Sequence, residues 1–407
     1  MIKWKRTLWI LWTANFIAVA GVSLIIPFLP LYIEELGVHH PKDVNLWSGW
    51  IFAAQSLTAV IFQPIWGAMA DKYGRKVMLL RAGIGMAIMT ILMGFVSAPW
   101  QLLVLRLING VFSGFISMSI SLQASVTPDE HAGNALGTLQ TGQMAGRLIG
   151  PLIGGILAEA FGFRDVFVLT GMILLMASVV VMIFVDKGTP VQTEKKEYSV
   201  GSGDWRTLTP LIPIFVATTV TQIGMMSIQP ILSIYTKSLY HGVHLEFIAG
   251  LVVSITGVAN LIGSPLLGRY GDRIGQRKIL IFSLVMSGLT FIPQAVTHDI
   301  TVLLIARFLL GLFVGGMLPS LNVLVKKLAP REAQARAFGF NSSAQFLGSL
   351  IGPLLGSTVS AVYDIRYVFY ITMSILFANA LMLLFNRKLE QTIATKSPLL
   401  TNSTKIK

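Results

Sequence analysis

Long apolar segments follow one another from one end of the chain to the other, separated by shorter polar stretches. Each segment is long enough to cross a hydrocarbon core of about 30 Å as a helix that rises about 1.5 Å per residue. The pattern predicts an all-α membrane protein with twelve transmembrane helices. They are expected near residues 8–32, 47–66, 77–96, 100–123, 134–160, 166–185, 210–236, 246–267, 279–297, 300–325, 336–361 and 367–386.

The composition favours a membrane protein over a soluble one. Hydrophobic residues make up 54% of the 407 residues and charged residues only 12%, whereas a soluble domain carries roughly 25% charged residues. A soluble fold of this length could not bury so much apolar surface, but a bilayer covers it. The sequence contains no cysteine, which excludes disulfides and thiolate metal sites.

The net charge of +13 reflects membrane topology rather than nucleic-acid binding. Nucleic-acid binding needs a basic face exposed to water, but here the Lys and Arg residues stand between long apolar runs. With the N-terminus placed in the cytoplasm, 24 of the 31 Lys and Arg residues fall in inner segments, four in outer loops and three within spans. The positive-inside rule therefore predicts that both termini are cytoplasmic.

One long polar stretch, residues 186–208, divides the chain into two halves of six spans each. The predicted organisation is an N-terminal bundle over 1–185, a cytoplasmic linker, a C-terminal bundle over 209–387 and a cytoplasmic tail over 388–407. The halves repeat at an offset of 201 or 202 residues. The matching positions are Pro64 and Pro265, Gly67 and Gly268, Asp71 and Asp272, Gly74 and Gly275, Arg106 and Arg307, Gly150-Pro151 and Gly352-Pro353, and Arg164 and Arg366.

Several motifs carry a resemblance to a known family. Residues 67–76 (GAMADKYGRK) resemble the loop 2–3 signature of the major facilitator superfamily, and residues 268–278 hold a degenerate copy. Residues 103–110 (LVLRLING) resemble its fourth-span motif. Gly142 with residues 150–155 (GPLIGG) resembles the fifth-span motif of the twelve-span drug:proton antiporter group. The resemblance covers the whole chain and implies two pseudo-symmetric six-helix bundles.

The resemblance implies a bacterial exporter of small molecules that works by exchange with protons. Its energy source would be the proton gradient rather than a cofactor, since the sequence has no Walker A motif. The expected partners are small-molecule substrates, protons and membrane lipid, with no nucleic acid, and the expected state is a monomer in the cytoplasmic membrane. His241 and His244 lack further ligands for a metal, and no nucleophile–base arrangement predicts an enzyme.

The loop signature predicts a gate at the cytoplasmic side. Gly67 and Gly74 permit a tight turn and close helix approach, and Asp71 can face the positive end of a neighbouring helix. We expect Arg75 and Lys76 to pair with acids such as Asp129 or Glu130, so that the cluster closes one conformation. Asp272 marks the repeated copy. The alternative is a simple turn whose basic residues set topology.

Three arginines fall inside predicted spans, where a charge is costly and usually faces a cavity or a partner. The resemblance implies that Arg106 has a role in conformational or proton coupling. The alternative is a structural hydrogen bond between helices. Arg307 is its counterpart, with both roles open. Arg147 departs from the usual fifth-span motif; it could bind a substrate anion or extend to the inner surface.

The fifth-span motif predicts a helix that bends and packs closely. Pro151 removes one backbone hydrogen bond, and Gly150 and Gly154 allow close approach of another helix. The resemblance links this motif to antiport and to sealing between the halves. An ordinary kinked helix is the alternative.

No aspartate or glutamate lies in the middle of a predicted span. Either the proton site is peripheral, with Glu34, Glu35, Glu159 and Asp71 as candidates, or coupling works differently. Without an internal carboxylate to neutralise cationic compounds, we expect neutral, zwitterionic or anionic amphiphiles as substrates.

Polar and soft side chains in the predicted spans are candidates for a substrate cavity, because flexible Met and hydrogen-bonding amides suit a promiscuous pocket. The candidates are Asn15, Ser113, Ser117, Met118, Gln140, Gln143, Arg147, Gln222, Met225, Met226, Asn322, Asn341 and Gln345. A transporter of one defined solute, such as a sugar or metabolite, is the nearest alternative function. A membrane receptor that transports nothing is a more distant one.

Overall fold

The computed structural model describes residues 3–185, 208–330 and 333–386, apart from the side chains of Lys3, Asp71, Asp129 and Ala335. The predicted linker, except Leu208, and the predicted tail lie outside the described residues. Within the described ranges the chain is helical, and twelve segments are long and apolar enough to cross a membrane. The predicted all-α architecture with twelve spans is therefore confirmed.

In the described ranges, sixteen α-helices build the twelve spans. In chain order they are α1 (Lys3–Ile25), α2 (Leu29–Glu35), α3 (Pro41–Tyr73), α4 (Arg75–Met93), α5 (Pro99–Phe112), α6 (Phe115–Val126), α7 (Asp129–Phe161), α8 (Phe163–Phe184), α9 (Ile212–Ser227), α10 (Leu232–Leu239), α11 (Leu245–Ile274), α12 (Gln276–Val296), α13 (Ile300–Val314), α14 (Met317–Leu328), α15 (Gln334–Val362) and α16 (Ile365–Phe385). Short 3₁₀ helices cover Ile26–Phe28 and Thr209–Leu211.

The first and fourth spans of each half are broken, whereas the other spans are single helices. Span 1 consists of α1 and α2, span 4 of α5 and α6, span 7 of α9 and α10, and span 10 of α13 and α14. Spans 2, 5, 8 and 11 are α3, α7, α11 and α15, and each has a proline in its interior. Proline removes one helical hydrogen bond, so these four helices share a built-in site of bending.

The internal repeat is visible in the backbone. Gly74 ends α3 with φ 93° and Gly275 ends α11 with φ 102°, a conformation that a residue with a Cβ rarely adopts. The Tyr32 hydroxyl donates to the Met93 carbonyl oxygen (3.0 Å), and the Tyr235 hydroxyl donates to that of Gln294 (2.6 Å). Met93 and Gln294 are themselves 201 positions apart, so both halves fasten their first span to their third in the same way.

Two pairs of long helices join the halves: α3 packs against α15, and α7 packs against α11. We call the end of the bundle with Lys72–Lys76 and Arg273–Lys278 the basic end. The opposite end, where α2 meets α10, is called the far end. The positive-inside rule predicts that the basic end is cytoplasmic.

Candidate functional site: a central space and its two ends

Among the described side chains, one ion pair and one contact between a histidine and a carboxylate join the halves at the far end. Lys237 Nζ lies 2.6 Å from Glu34 Oε2, and His244 Nδ1 contacts Glu159 Oε1. A third pair, Arg164 with Glu35 (3.6 Å), lies within the N-terminal half. Three of the four carboxylates predicted as proton sites therefore have a basic partner, and two of those partners come from the other half. Because these side chains are partly exposed, each pair contributes only about 0–1 kcal/mol by itself.

Backbone contacts make the far end tight. A Cβ placed at Gly155 would lie 2.8 Å from the Glu246 carbonyl oxygen and 2.9 Å from Phe247 Cα, both in the opposite half. A Cβ at Gly250 would overlap the Pro151 carbonyl oxygen. Glycine is thus needed on both helices of this pair, because any side chain would push α7 and α11 apart.

The other pair of helices is closed in the same region. Asn45 Nδ2 donates to Ser360 Oγ over 2.8 Å, and both residues are buried. One turn further along, a Cβ at Gly49 would collide with the Ser357 side chain. Together with the ion pairs, these contacts close the far end of the space between the halves.

The same four long helices are separated at the basic end. A Cβ placed at any of five glycines in their basic-end segments would meet nothing within 4 Å; these are Gly67, Gly133, Gly137, Gly268 and Gly339. The predicted close helix approach at Gly67 is therefore not present in this conformation. The central space is closed at the far end and open at the basic end.

The basic residues of the loop signature bind backbone carbonyl oxygens of neighbouring helices. Arg75 Nη1 donates to the Ser121 carbonyl oxygen (2.8 Å), and Lys76 Nζ donates to that of Met182 (2.7 Å). No ion pair with Glu130 is found among the described side chains, and the side chains of Asp71 and Asp129 lie outside the description. Met182 lies in the last turn of α8, where the carbonyls lack helical partners and carry partial negative charge, which explains the position of Lys76.

The second copy of the signature repeats this arrangement. Arg277 Nη2 donates to the Leu383 carbonyl oxygen (2.8 Å), 201 positions from the contact of Lys76 with Met182. Asp272 Oδ1 accepts from Gln276 Nε2 (2.9 Å), and Gln276 Oε1 accepts from Ser320 Oγ (3.0 Å). In both halves, therefore, the loop between the second and third spans is fastened to the fourth and sixth spans at the basic end.

Arg106 points into the N-terminal bundle rather than into the space between the halves. It is 8% exposed, and its Nη1 donates to Gln55 Oε1 over 2.8 Å. A cavity of about 20 Å³ adjoins it, lined by residues of spans 1, 2, 3, 4 and 6. Arg307 is equally buried, with 6% exposure and an unpartnered Nε.

Arg147 is exposed in the middle of span 5. At 100° per residue it lies on the side of α7 opposite Ile149, Ile153 and Ile156, which are exposed on the outer surface of the bundle. Eighteen residues, about 27 Å of helix, separate it from the start of α7. An arginine side chain cannot span that distance, so Arg147 does not reach the inner surface. The structure therefore favours a position of this side chain in the central space.

Close packing of the fifth-span motif is observed directly. A Cβ at Gly150 would lie 2.6 Å from the Ala20 carbonyl oxygen, and one at Gly154 would lie 2.5 Å from that of Leu24. Gly150 and Gly154 therefore seal span 5 against span 1, and Gly155 seals it against the other half.

The predicted cavity residues divide into three groups by exposure. Gln140, Arg147, Ser117 and Asn322 are exposed, and Gln143, Gln222, Met225, Met226 and Gln345 are partly exposed. Asn15, Ser113, Met118 and Asn341 are buried. Asn15 Nδ2 donates to Ser119 Oγ (2.6 Å), and Asn341 bonds to both Thr218 (2.8 Å) and Asn322 (3.0 Å), so Asn15 and Asn341 connect helices in this conformation.

The sequence motifs do not indicate several residues that connect helices in the structure. Arg81 stacks on the Trp66 ring at 3.7 Å and donates to the carbonyl oxygens of Val111, Phe112 and Ser113, where span 4 breaks. The motifs also do not predict the contacts that Tyr32, Tyr235 and His244 make. Comparison of the halves near the 201-residue offset could have indicated the tyrosine pair, but not the contact of His244 with Glu159.

Comparisons with known proteins agree with this architecture. The model of the Major Facilitator Superfamily matches residues 11–214 and again residues 214–401. The multidrug resistance protein MdtG of Serratia proteamaculans (strain 568) is 42% identical over 385 residues, which cover 93% of each chain. MdtG of Proteus mirabilis (strain HI4320) is 40% identical over 380 residues, which cover 93% of this chain and 94% of the relative.

Solved structures of low sequence identity share the fold. A bacterial homolog of the human lysosomal transporter Spinster, inward-facing and unoccupied, has a TM-score of 0.80 at 14% identity and covers 98% of this chain and 99% of its own. A mutant of the nucleoside transporter NupG has a TM-score of 0.78 at 13% identity, with 93% and 99% coverage.

Proposed function

Since the chain belongs to the major facilitator superfamily and is a membrane transporter rather than an enzyme, we propose that it exports several small amphiphilic compounds in exchange for protons. Its similarity to multidrug resistance proteins over 93% of its length supports export of more than one compound. Its energy source is the proton gradient, without a bound cofactor, and it acts as a monomer in the bacterial cytoplasmic membrane with both termini in the cytoplasm.

The charge of the central space is the observation that supports the proposed class of substrate. Arg147 is exposed on the side of α7 that faces away from lipid. Each described Asp or Glu side chain belongs to the end of a helix or to a connection between helices. A charge inside a membrane protein attracts an opposite charge strongly because the surroundings have low polarity. The space therefore favours anionic, zwitterionic or neutral amphiphiles over permanent cations.

Transport proceeds by alternating opening of the two ends. In the present conformation the far end is closed by Gly155, Gly250 and the pairs of Glu34 and Glu159, while the basic end is open. Substrate enters from the cytoplasm at the basic end. Opening of the far end must separate α3 from α15 and α7 from α11, so Glu34 and Glu159 lose their partners in the other half.

Reconstituted vesicles with an imposed pH gradient provide the test. A set of matched amphiphiles, one anionic, one neutral and one quaternary cationic, would be offered at the cytoplasmic face. We expect proton-dependent transport of the anionic and neutral compounds and little transport of the cation. Strong transport of the cation alone, or transport that ignores the pH gradient, would contradict the proposal.

A transporter of one defined solute is the second candidate. The amide network of Asn322, Asn341 and Thr218 supports it, because an exposed amide with fixed partners can recognise one arrangement of hydroxyls. Competition separates the two functions. Chemically unrelated amphiphiles should compete with one another for a promiscuous exporter, whereas only close analogues should compete for a solute transporter.

A further inference from the structure

Arg106 carries a buried charge for which the described structure supplies no counter-charge. Its side chain is more than nine-tenths buried, its described hydrogen-bond partner is the neutral amide of Gln55, and its Nε atom has no partner. Removing a cation from water costs several kcal/mol unless an opposite charge compensates it. An amide oxygen offers a dipole but no charge.

The cavity beside Arg106 has a partly polar lining. Its polar lining consists of Gln55, Thr90, Asn109, Thr170 and Arg106 itself, and the other lining residues are apolar. None of the lining residues is acidic. Asn109 Nδ2 makes only a long bond of 3.5 Å to Thr90 Oγ1, so this donor is also available to a ligand.

The size of the cavity limits the ligand. A volume of about 20 Å³ admits one or two particles of the size of water. A drug-sized molecule does not fit into this volume. The cavity is lined entirely by residues of the N-terminal half, so its ligand is distinct from a substrate in the central space.

We propose that this cavity binds a single small inorganic anion of the halide class, such as chloride, held by the guanidinium of Arg106 and the amide of Asn109. The anion neutralises the buried guanidinium and thereby stabilises the packing of spans 1, 2 and 4 around it. The proposal does not depend on drug export, since it concerns the folded bundle itself.

Thermal unfolding of the purified full chain tests the proposal without any transport assay. Chloride would be titrated against gluconate, which is too large for the cavity, at constant ionic strength. Because a ligand that binds only the folded state stabilises it by mass action, the midpoint should rise by roughly 2 °C for each tenfold increase in chloride above the dissociation constant. A midpoint independent of chloride would overturn the proposal.

Two variants and a control assign the effect to this cavity. Arg106→Gln should remove the chloride dependence, whereas Lys72→Gln, which removes one exposed positive charge at the basic end, should retain it. Asn109→Asp supplies a carboxylate inside the cavity and should replace the anion, giving a folded protein whose midpoint no longer responds to chloride. This variant keeps the test decisive if Arg106→Gln does not fold. An unchanged chloride response in Asn109→Asp would refute the assignment.

Discussion

Replacement of Gly155 by alanine should shift the protein away from the conformation described here. The new Cβ would lie 2.8 Å from the Glu246 carbonyl oxygen and 2.9 Å from Phe247 Cα. Both atoms belong to the backbone of α11, so no side-chain rotation can relieve the contact. The two helices must separate by several tenths of an ångström at the far end.

The size of the shift follows from the cost of overpacking. An additional methyl group in a well-packed interface costs about 1–3 kcal/mol. That cost falls on the conformation with the closed far end, because opening removes α11 from the neighbourhood of Gly155. A difference of about 1–3 kcal/mol changes the ratio of the two conformations by about 5- to 150-fold.

Distance measurement between two spin labels is the appropriate assay. The chain has no native cysteine, so Lys42→Cys and Tyr363→Cys would be the sole labelling sites, both exposed at the far end of the two halves. The variant should show a larger population of long distances than the parent. Gly137→Ala is the matched control, since its Cβ in the same helix meets nothing within 4 Å.

The control also removes the effect of helix propensity. Alanine is favoured over glycine in a helix by about 1 kcal/mol, but this gain is equal in both conformations and in both variants. Identical distance distributions for Gly155→Ala and Gly137→Ala would refute the argument that backbone contact at Gly155 closes the far end.

Three further predictions address charge and fastening. Arg147→Gln should reduce transport of an anionic amphiphile into vesicles about tenfold or more, while transport of a neutral amphiphile changes little. Equal losses for both compounds would exclude a charge interaction between Arg147 and the substrate. Tyr235→Phe should destabilise the C-terminal half by about 1–3 kcal/mol, measured by thermal unfolding, since the Gln294 and Thr297 carbonyl oxygens lose their buried donor. Arg277→Gln should cost about 1 kcal/mol by leaving the Leu383 carbonyl at the end of α16 without its cation; no loss of stability would show that this cap is dispensable.

The number of spans and the division into halves were predictable because they depend on properties that act locally. A bilayer requires long apolar helices, and the near-constant offset between Gly74 and Gly275 or between Arg106 and Arg307 is readable as spacing. The breaks in spans 1, 4, 7 and 10 were not predicted. Span 1 breaks at Pro27, span 4 at Ser113 and Gly114, span 7 near Gln229 and Pro230, and span 10 at Gly315 and Gly316. Glycine and proline also occur inside unbroken membrane helices, as Pro64 and Pro265 do here, so these residues alone do not mark a break.

The partners of charged residues were less predictable than their positions. Arg75 and Lys76 are predicted to pair with acids such as Asp129 or Glu130, and the structure adds hydrogen bonds from both to backbone carbonyl oxygens of α6 and α8. Glu34 and Glu159 are candidate proton sites because no acid lies in the middle of a predicted span. Their pairing with Lys237 and His244 depends on how the two halves meet, which periodicity along one chain does not reveal.

The most direct test of the central claim is to join the halves at the far end and measure transport. Asn45→Cys and Ser360→Cys place two thiols where a buried hydrogen bond of 2.8 Å now joins α3 to α15. In a protein without other cysteines, a short bifunctional thiol reagent with a reducible spacer would link them. The account predicts that linkage abolishes transport and that reduction restores it. Transport at the full rate in the linked protein would contradict movement of the halves about the central space.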